Sequence, residues 1–563
     1  MLIYLLGMLY TTFICWSWGL AVWKLLQKNV GKGNLSQLTL PEQSLLGMIA
    51  IIVTGTLLNF WIPLNGWAQQ LILLLIASIS FLRFSGYQSI RSEFAYYQKL
   101  PLTSKLLLIL SLGLVLVMSS WLIIHPDSLA YHFPLIRWSA EHTLAPGLAN
   151  LHIRFGYQSN WFIGAAIFDT GPFGINGLSP LNGSILIWMV AFCVRQLNTF
   201  QLYEENKGRK FYWLLLLFMM GWSYTQFRLT ATSASADFIL AMLTWYILFL
   251  TINPSKEPLH RLLLILLINF AFTIKLSSAP LAILLVYFLV ENKFELLKKY
   301  FWQTTFCILI ITIPFLVRNY ISSGYLLFPV SWTSIGNPDW KVPAPLVEKE
   351  ASYVTAYARM QVEGDITSIT EANKAGLKEW LPEWAMQRSE ADLTLLAIAL
   401  LLLIIGLIQF KYIRQSNFIY KIALITTVAG CSFWFYNAPD PRFGWGFIIG
   451  LAGLILYQLP TPFFLQKSEK VFLSAGCWIL LSFGSAYLIY RAYNYSNINT
   501  WFIPAGIQPQ KGTVKKIGSI DIFLPEKESN CGNTALPCTY DSLMPFEPRG
   551  DSPENGFRSI ESH

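Results

Sequence analysis

The sequence predicts an all-α polytopic membrane fold of about fourteen transmembrane helices, on three observations. Hydrophobic residues make up 54% of the 563-residue chain and charged residues only 13%, against about 25% charged in an ordinary soluble domain; the mean hydropathy is +0.47. Apolar runs repeatedly approach the roughly 20 residues that cross a bilayer as helix, and they are continuous, where a barrel would alternate in short segments. Lysine and arginine are clustered between those runs, with loops poor in positive charge in between.

That clustering fixes the expected orientation. Lys24, Lys28 and Lys32 follow the first run, and Arg91, Lys99 and Lys105 precede the fourth. Later groups are Lys207, Arg209 and Lys210; Lys293, Lys298 and Lys299; Lys411, Arg414 and Lys421; and Lys467 with Lys470. The loops IPLNGWAQQ and TATSASAD between them are nearly free of charge. By the positive-inside rule the basic clusters are cytoplasmic. The net charge of +9 is therefore a topology signal, and nucleic acid is not an expected partner; the lipid bilayer is.

Taken in order, the predicted spans are 2–23, 44–62, 68–84, 105–124, 180–198, 212–229, 237–252, 262–275, 277–290, 302–318, 391–410, 418–435, 443–459 and 470–490. The first carries its lysines after it and no basic segment before it, which suits an uncleaved helix with its amino terminus outside. The stretch 262–290 is long for one crossing and is interrupted by Lys275, Ser277, Ser278 and Pro280. It reads as two short helices meeting at an outer turn; one tilted helix would instead invert everything downstream. Three parts follow: N-terminal helices at 1–86, a transmembrane core at 87–490 and a tail at 491–563. The large loops 125–179 and 319–390 and the tail are expected on the extracytoplasmic side of a cytoplasmic membrane.

Five cysteines (Cys15, Cys193, Cys307, Cys431, Cys477) sit in apolar runs, where a small soft residue is unremarkable. Cys531 and Cys538, in CGNTALPC, are the pair in a polar segment. A disulfide is the simpler reading for an oxidising compartment; a zinc site would need further ligands nearby.

Chemistry concentrates at the mouth of the fourth span, in HPDSLAYHFPLIRW. A carboxylate there is costly to desolvate unless it has a partner or a purpose. Asp127 either caps the following helix or acts as a general base, with Tyr131, His132 and Arg154 in the same loop as neighbours. His132 either orients Asp127 or meets the acceptor. Other charges recur at the same expected depth: Asp237 opening a span, Lys275 at the turn, Arg318 closing a span in VRNY and Arg442 opening one in APDPRFGWGF. Each cation alone could simply reach lipid phosphates; together they suit an anionic lipid head group beside a base. Asp440 either pairs with Arg442 or touches substrate. His142 and His152 match no common zinc spacing, and His260 and His563 carry no assigned role.

HPDSLAYH after a membrane helix, Asp237 opening a later one, Lys275 in FTIKLSS and Arg318 in RNYISSGYLLFP, in that order, resemble the C-type glycosyltransferase (GT-C) superfamily. Protein O-mannosyltransferases and lipid A aminoarabinose transferases are members of it. YHFPLIRW, APDPRFGWGF and CGNTALPC with the late Arg549-Gly550 are similar to a bacterial multi-pass family of no assigned activity. The resemblance spans most of 105–563 and leaves 1–86 outside. It implies a polyprenyl-phosphate-linked sugar as donor and a glycan, lipid or protein as acceptor. Asp127 would be the general base, with His132 beside it. Tyr131, Arg154 and Asp237 would contact substrate, while Lys275, Arg318 and Arg442 hold the phosphate. Many members carry two adjacent acids in the first loop, whereas Ser128 follows Asp127 here. No cofactor or metal ligand is assigned, and a divalent metal stays open. The competing expectations are a transporter or flippase of a lipid-linked or anionic solute, and a polysaccharide polymerase or ligase. Transporters place polar sites near the midplane on paired broken helices, a pattern this sequence lacks.

Overall fold

The computed structural model describes residues 1–30, 38–121, 123, 125–199, 231–253, 258–459, 498–526, 530–540 and 545–560, with separate residues within 212–219 and 478–494. In chain order the described helices are α1 (Leu2–Val30), α2 (Leu40–Leu58), α3 (Trp67–Arg83), α4 (Gly86–Gln98), α5 (Leu102–Ser119), α6 (Phe133–Glu141), α7 (Leu148–Leu151), α8 (Asn160–Phe168), α9 (Pro180–Thr199), α10 (Ala236–Ile252), α11 (Pro258–Ile274), α12 (Ala282–Ser323), α13 (Ala344–Met360), α14 (Ile366–Lys374), α15 (Leu377–Met386), α16 (Glu390–Ile408), α17 (Phe410–Arg414), α18 (Phe418–Asn437), α19 (Pro441–Gln458) and α20 (Ile498–Phe502).

Among the described residues seven helices are long and apolar enough to cross a membrane, or eight if α3 and α4, bent by 78°, form one broken span. The protein is thus a multi-pass helical membrane protein, with fewer full-length spans among the described residues than the fourteen expected. The span expected at 212–229 falls largely outside the described residues, and the one expected at 470–490 does so in its first part, while 478, 479 and 481–490 are helical. Those expected at 237–252, 262–275 and 277–290 are apolar helices of at most 17 residues, and α19, which opens on Pro441 and Arg442, is not among the seven. The short helices have a physical reason. Nearly every residue of α10 and α11 is buried, as expected of a helix apolar all round. Helices enclosed by protein need not match the bilayer themselves.

Two spans expected at 277–290 and 302–318 lie in one helical run. Lys275 just before α12 and Asn319 near its end line the same cavity. A straight helix of 42 residues would hold its ends roughly 63 Å apart, so the run folds back into two arms, Leu276–Glu291 and Lys298–Ser323. Glu291 pairs with Arg261 at the foot of α11 at 3.2 Å, while Thr312 in the second arm donates to Asn269 at 2.8 Å. The interruption read at Lys275 is a short 3-10 turn, Leu276–Leu281.

The three segments outside the bundle pack on one another at one end of it. Gly147 N–H donates to Ile321 O at 2.8 Å, Phe557 N–H to Pro146 O at 2.9 Å and Gly532 N–H to Leu129 O at 2.9 Å. Gly147 has φ +64°, and a Cβ there would lie 2.1 Å from Phe557 O, so only glycine lets the tail close on the first loop. The tail corrects the all-α expectation: it holds two antiparallel pairs, β1 (Gly512–Ile517) with β2 (Ile520–Pro525), and β3 (Phe546–Pro548) with β4 (Phe557–Ser559). Ile517 opposes Ile520 across Gly518-Ser519, with Gly518 at φ +59°, the Gly-X chemistry of a two-residue hairpin turn. Cys531 and Cys538 are joined by a disulfide.

Candidate functional site

The chain leaves α5, passes His125 and Pro126, and enters α6 through one wide π turn, Ser128–His132. Pro134 in the first turn of α6 has no N–H to donate, and Phe133 N–H reaches back to Ser128 O. Wide turns of this kind frequently mark functional sites. Asp127 sits at its mouth with φ −65° and ψ −28°, and its side chain makes no capping bond. The capping alternative is therefore corrected, and the carboxylate turns to cations: Oδ2 lies 2.8 Å from Arg442 Nη1, Oδ1 lies 3.7 Å from Arg154 Nη1, and 19% of the side chain stays exposed.

Arg442 is aimed by its own helix end. Asp440 caps α19, accepting the Arg442 N–H at 3.1 Å and pairing with Arg388 at 3.2 Å, so Asp440 is committed to structure. Arg442 Nη1 also donates to His125 Nε2 at 3.1 Å. Lys275 forms an ion pair with Asp237. Its Nζ lies 3.6 Å from the Phe443 ring centroid, and the Arg442 guanidinium lies 4.7 Å from the same centroid. Two cation–acid pairs thus share one ring. On the far side of Asp127, Arg154 lies 5.7 Å from the Tyr131 ring, 5.5 Å from the Tyr353 ring and 3.5 Å from Glu350, whose Oε1 also accepts from Tyr157 at 2.9 Å.

These groups face a cavity of about 750 Å³ between the first loop, the second loop, the tail and the ends of α10, α11, α12, α18 and α19. Asp127, Tyr131, His132, Arg154, Asp237, Lys275 and Arg442 all line it. Arg318 does not. It is buried and, among the described residues, its hydrogen bonds go to neutral groups, Gln158 Oε1 at 2.7 Å, Asn59 Oδ1 at 2.8 Å and Ser139 Oγ at 2.9 Å. The structure does not bring it to the cavity with the other cations: one N–H on each of its three nitrogens is held by these neutral side chains. His132 packs against Tyr131, His125 and Phe162 with its Nδ1 unpartnered, and His125 is the histidine bonded to a cation of the site. His142 binds Glu554 at 2.6 Å and His152 packs on Tyr540, so both dock the tail.

Sequence reasoning missed His125, Phe443, Tyr157, Glu350, Tyr353 and Tyr540. One signal existed: Glu350, Tyr353, Val354 and Tyr357 all line the cavity, at the i, i+3, i+4, i+7 spacing of one helix face. Phe443 had none, being one of 39 phenylalanines.

Burial pushes the Asp127 carboxyl up, but the charged groups around it, Arg442 foremost, hold it well below the usual carboxylate range. Burial keeps His125 below its ordinary value and His132 well below it, so both rings are neutral at neutral pH. Among the described residues no three His, Cys, Asp or Glu side chains gather to hold a metal ion. Asp127 and Asp237 each face a cation, which is not the donor set of a divalent metal.

The chain belongs to the family described as Domain of unknown function (DUF8201), whose model matches residues 1–449. The match crosses the boundary drawn at residue 86 and brings no activity with it. No curated protein and no solved structure matches the chain.

Proposed function

We propose that the protein is an integral-membrane glycosyltransferase that moves a sugar from a polyprenyl-phosphate donor to an acceptor hydroxyl on the extracytoplasmic face. The observation that carries this reading is Asp127: a carboxylate free of any capping role, opening into a cavity with Arg442, Lys275 and Arg154. The acceptor oxygen attacks the anomeric carbon as the bond from that carbon to the phosphate oxygen breaks, and the hydroxyl proton passes to Asp127. The leaving polyprenyl phosphate needs cations rather than a proton, and Lys275 with Arg442 supplies them. Phe315, Phe433 and Phe447 line the same cavity and suit the first prenyl units. Tyr353, Tyr157 and Tyr540 give the opposite wall aromatic faces and hydroxyls for the acceptor.

The test is transfer by the full-length protein in nanodiscs, given a panel of polyprenyl-phosphate sugars. Wild type consumes a donor, and Asp127→Asn, equal in size, loses roughly 10²- to 10⁴-fold in rate. Equal turnover in both removes Asp127 as base. A wild type that turns over no donor and binds no polyprenyl phosphate sinks the reading.

A further inference from the structure

Each cation needed for phosphate already has an acid. Arg442 holds Asp127 at 2.8 Å, Lys275 holds Asp237, and the two pairs flank the Phe443 ring. A phosphate group cannot simply add to such a site, because it would meet two carboxylates already bound to its cations. It has to exchange with one of them. Asp127 is the one with somewhere to go. Its second oxygen lies 3.7 Å from Arg154 Nη1, beyond hydrogen-bond distance but within a small side-chain rotation of it. Arg154 is in turn held in place between Tyr131 and Tyr353 and beside Glu350. Among the described residues, Asp237 has no such second cation at ion-pair distance beside Lys275.

We infer that Asp127 is an internal competitor for the phosphate site on Arg442: the phosphate of a polyprenyl-phosphate ligand takes the guanidinium by displacing the carboxylate, which swings to Arg154. A phosphate oxygen pair matches the guanidinium fork as well as a carboxylate does; the sugar-bearing donor, a diester, brings one negative charge like the carboxylate it replaces, and the monoester released by transfer brings more. Resting on the transferase reading, one consequence follows for the reaction. Asp127 is freed from its strongest cation only once the donor is bound, so donor binds before acceptor, and the base is unmasked by the substrate it serves.

The test is equilibrium binding of undecaprenyl phosphate and, separately, of inorganic phosphate to the full-length protein in nanodiscs. Asp127→Asn, which removes the competitor, is expected to bind phosphate about tenfold tighter or more than wild type. The double variant Asp127→Asn/Arg442→Gln is expected to lose that gain. A gain with both ligands identifies the phosphate group alone as the competitor. A gain confined to the lipid identifies a phosphate delivered on its prenyl chain. Unchanged or weaker binding by Asp127→Asn overturns the inference, and so does a gain that survives loss of Arg442. The wild type supplies a second readout: the phosphate-induced infrared difference spectrum shifts one carboxylate stretch. An undisturbed carboxylate region in a protein that binds phosphate also overturns it. Exchange and transfer fail separately, because tighter binding by Asp127→Asn with no donor consumed leaves the exchange standing and removes the transferase.

Discussion

Arg318 lies near the end of one helix and Arg442 opens another at the same end of the bundle, yet their surroundings differ in kind. Arg318 is 1% exposed, with its donors on Asn59, which caps the end of α2, and on Ser139 and Gln158 of the first loop. It is a bolt that fastens that loop to the bundle. Arg442 lines a cavity and holds Asp127, Asp440 and His125. Charge at a helix mouth is therefore not itself the mark of a site. What separates the two is whether the guanidinium is held by buried neutral groups that cannot leave, or by a carboxylate that can.

The largest expected effect breaks the bolt. Arg318→Leu strands three buried acceptors, at about 1–3 kcal/mol each, so the melting temperature in detergent and the folded yield fall sharply. The surviving fraction keeps its turnover number; a lost turnover number at unchanged stability would put Arg318 back in the site. Next, Arg442→Gln lowers transfer by roughly 10²- to 10³-fold. It costs less stability than Arg318→Leu because Asp127 falls back on Arg154. If the two variants lose stability equally with no separate loss of rate, the comparison collapses.

Phe443 sharpens the picture. Two cation–π contacts are worth about 0.5–1 kcal/mol each, so Phe443→Leu raises KM for donor about tenfold with little change in kcat, and Phe443→Tyr restores it. Equal KM in wild type and Phe443→Leu would leave the ring as packing only. The smallest effect concerns the loop's anchoring to the tail. Burial lowers the His152 pKa to about 3, below its unfolded value. Its contribution to stability is thus complete above about pH 6.5 and is lost as pH falls from there toward 3. Between pH 6.5 and 5.5 that loss is about 1 kcal/mol, and His152→Gln flattens it. A melting temperature whose slope over that range is the same in both proteins would contradict the assignment.

Most of the cavity was legible because ionisable groups are rare in so apolar a chain. Asp127, Arg154, Asp237, Lys275 and Arg442 stand out against their flanking runs. Arg318 was legible by the same rule and misplaced by it, because its partners Asn59, Ser139 and Gln158 are neutral and distant in sequence. Phe443 and the tyrosines were hidden by the abundance of aromatics. Long apolar helices such as α1 and α16 read directly from hydropathy. The folding back of α12 did not, since helical periodicity carries no information about where a run reverses. The β1–β2 hairpin was written in IGSI but was masked by a tail otherwise rich in proline and glycine.

The most direct measurement is a cryo-electron microscopy map of the full-length protein in nanodiscs with undecaprenyl phosphate. The account predicts phosphate density in contact with Arg442 and Lys275, with the Asp127 carboxylate turned to Arg154 and the Arg318 network unmoved. Phosphate density elsewhere, with Asp127 still on Arg442 at saturating ligand, would contradict it.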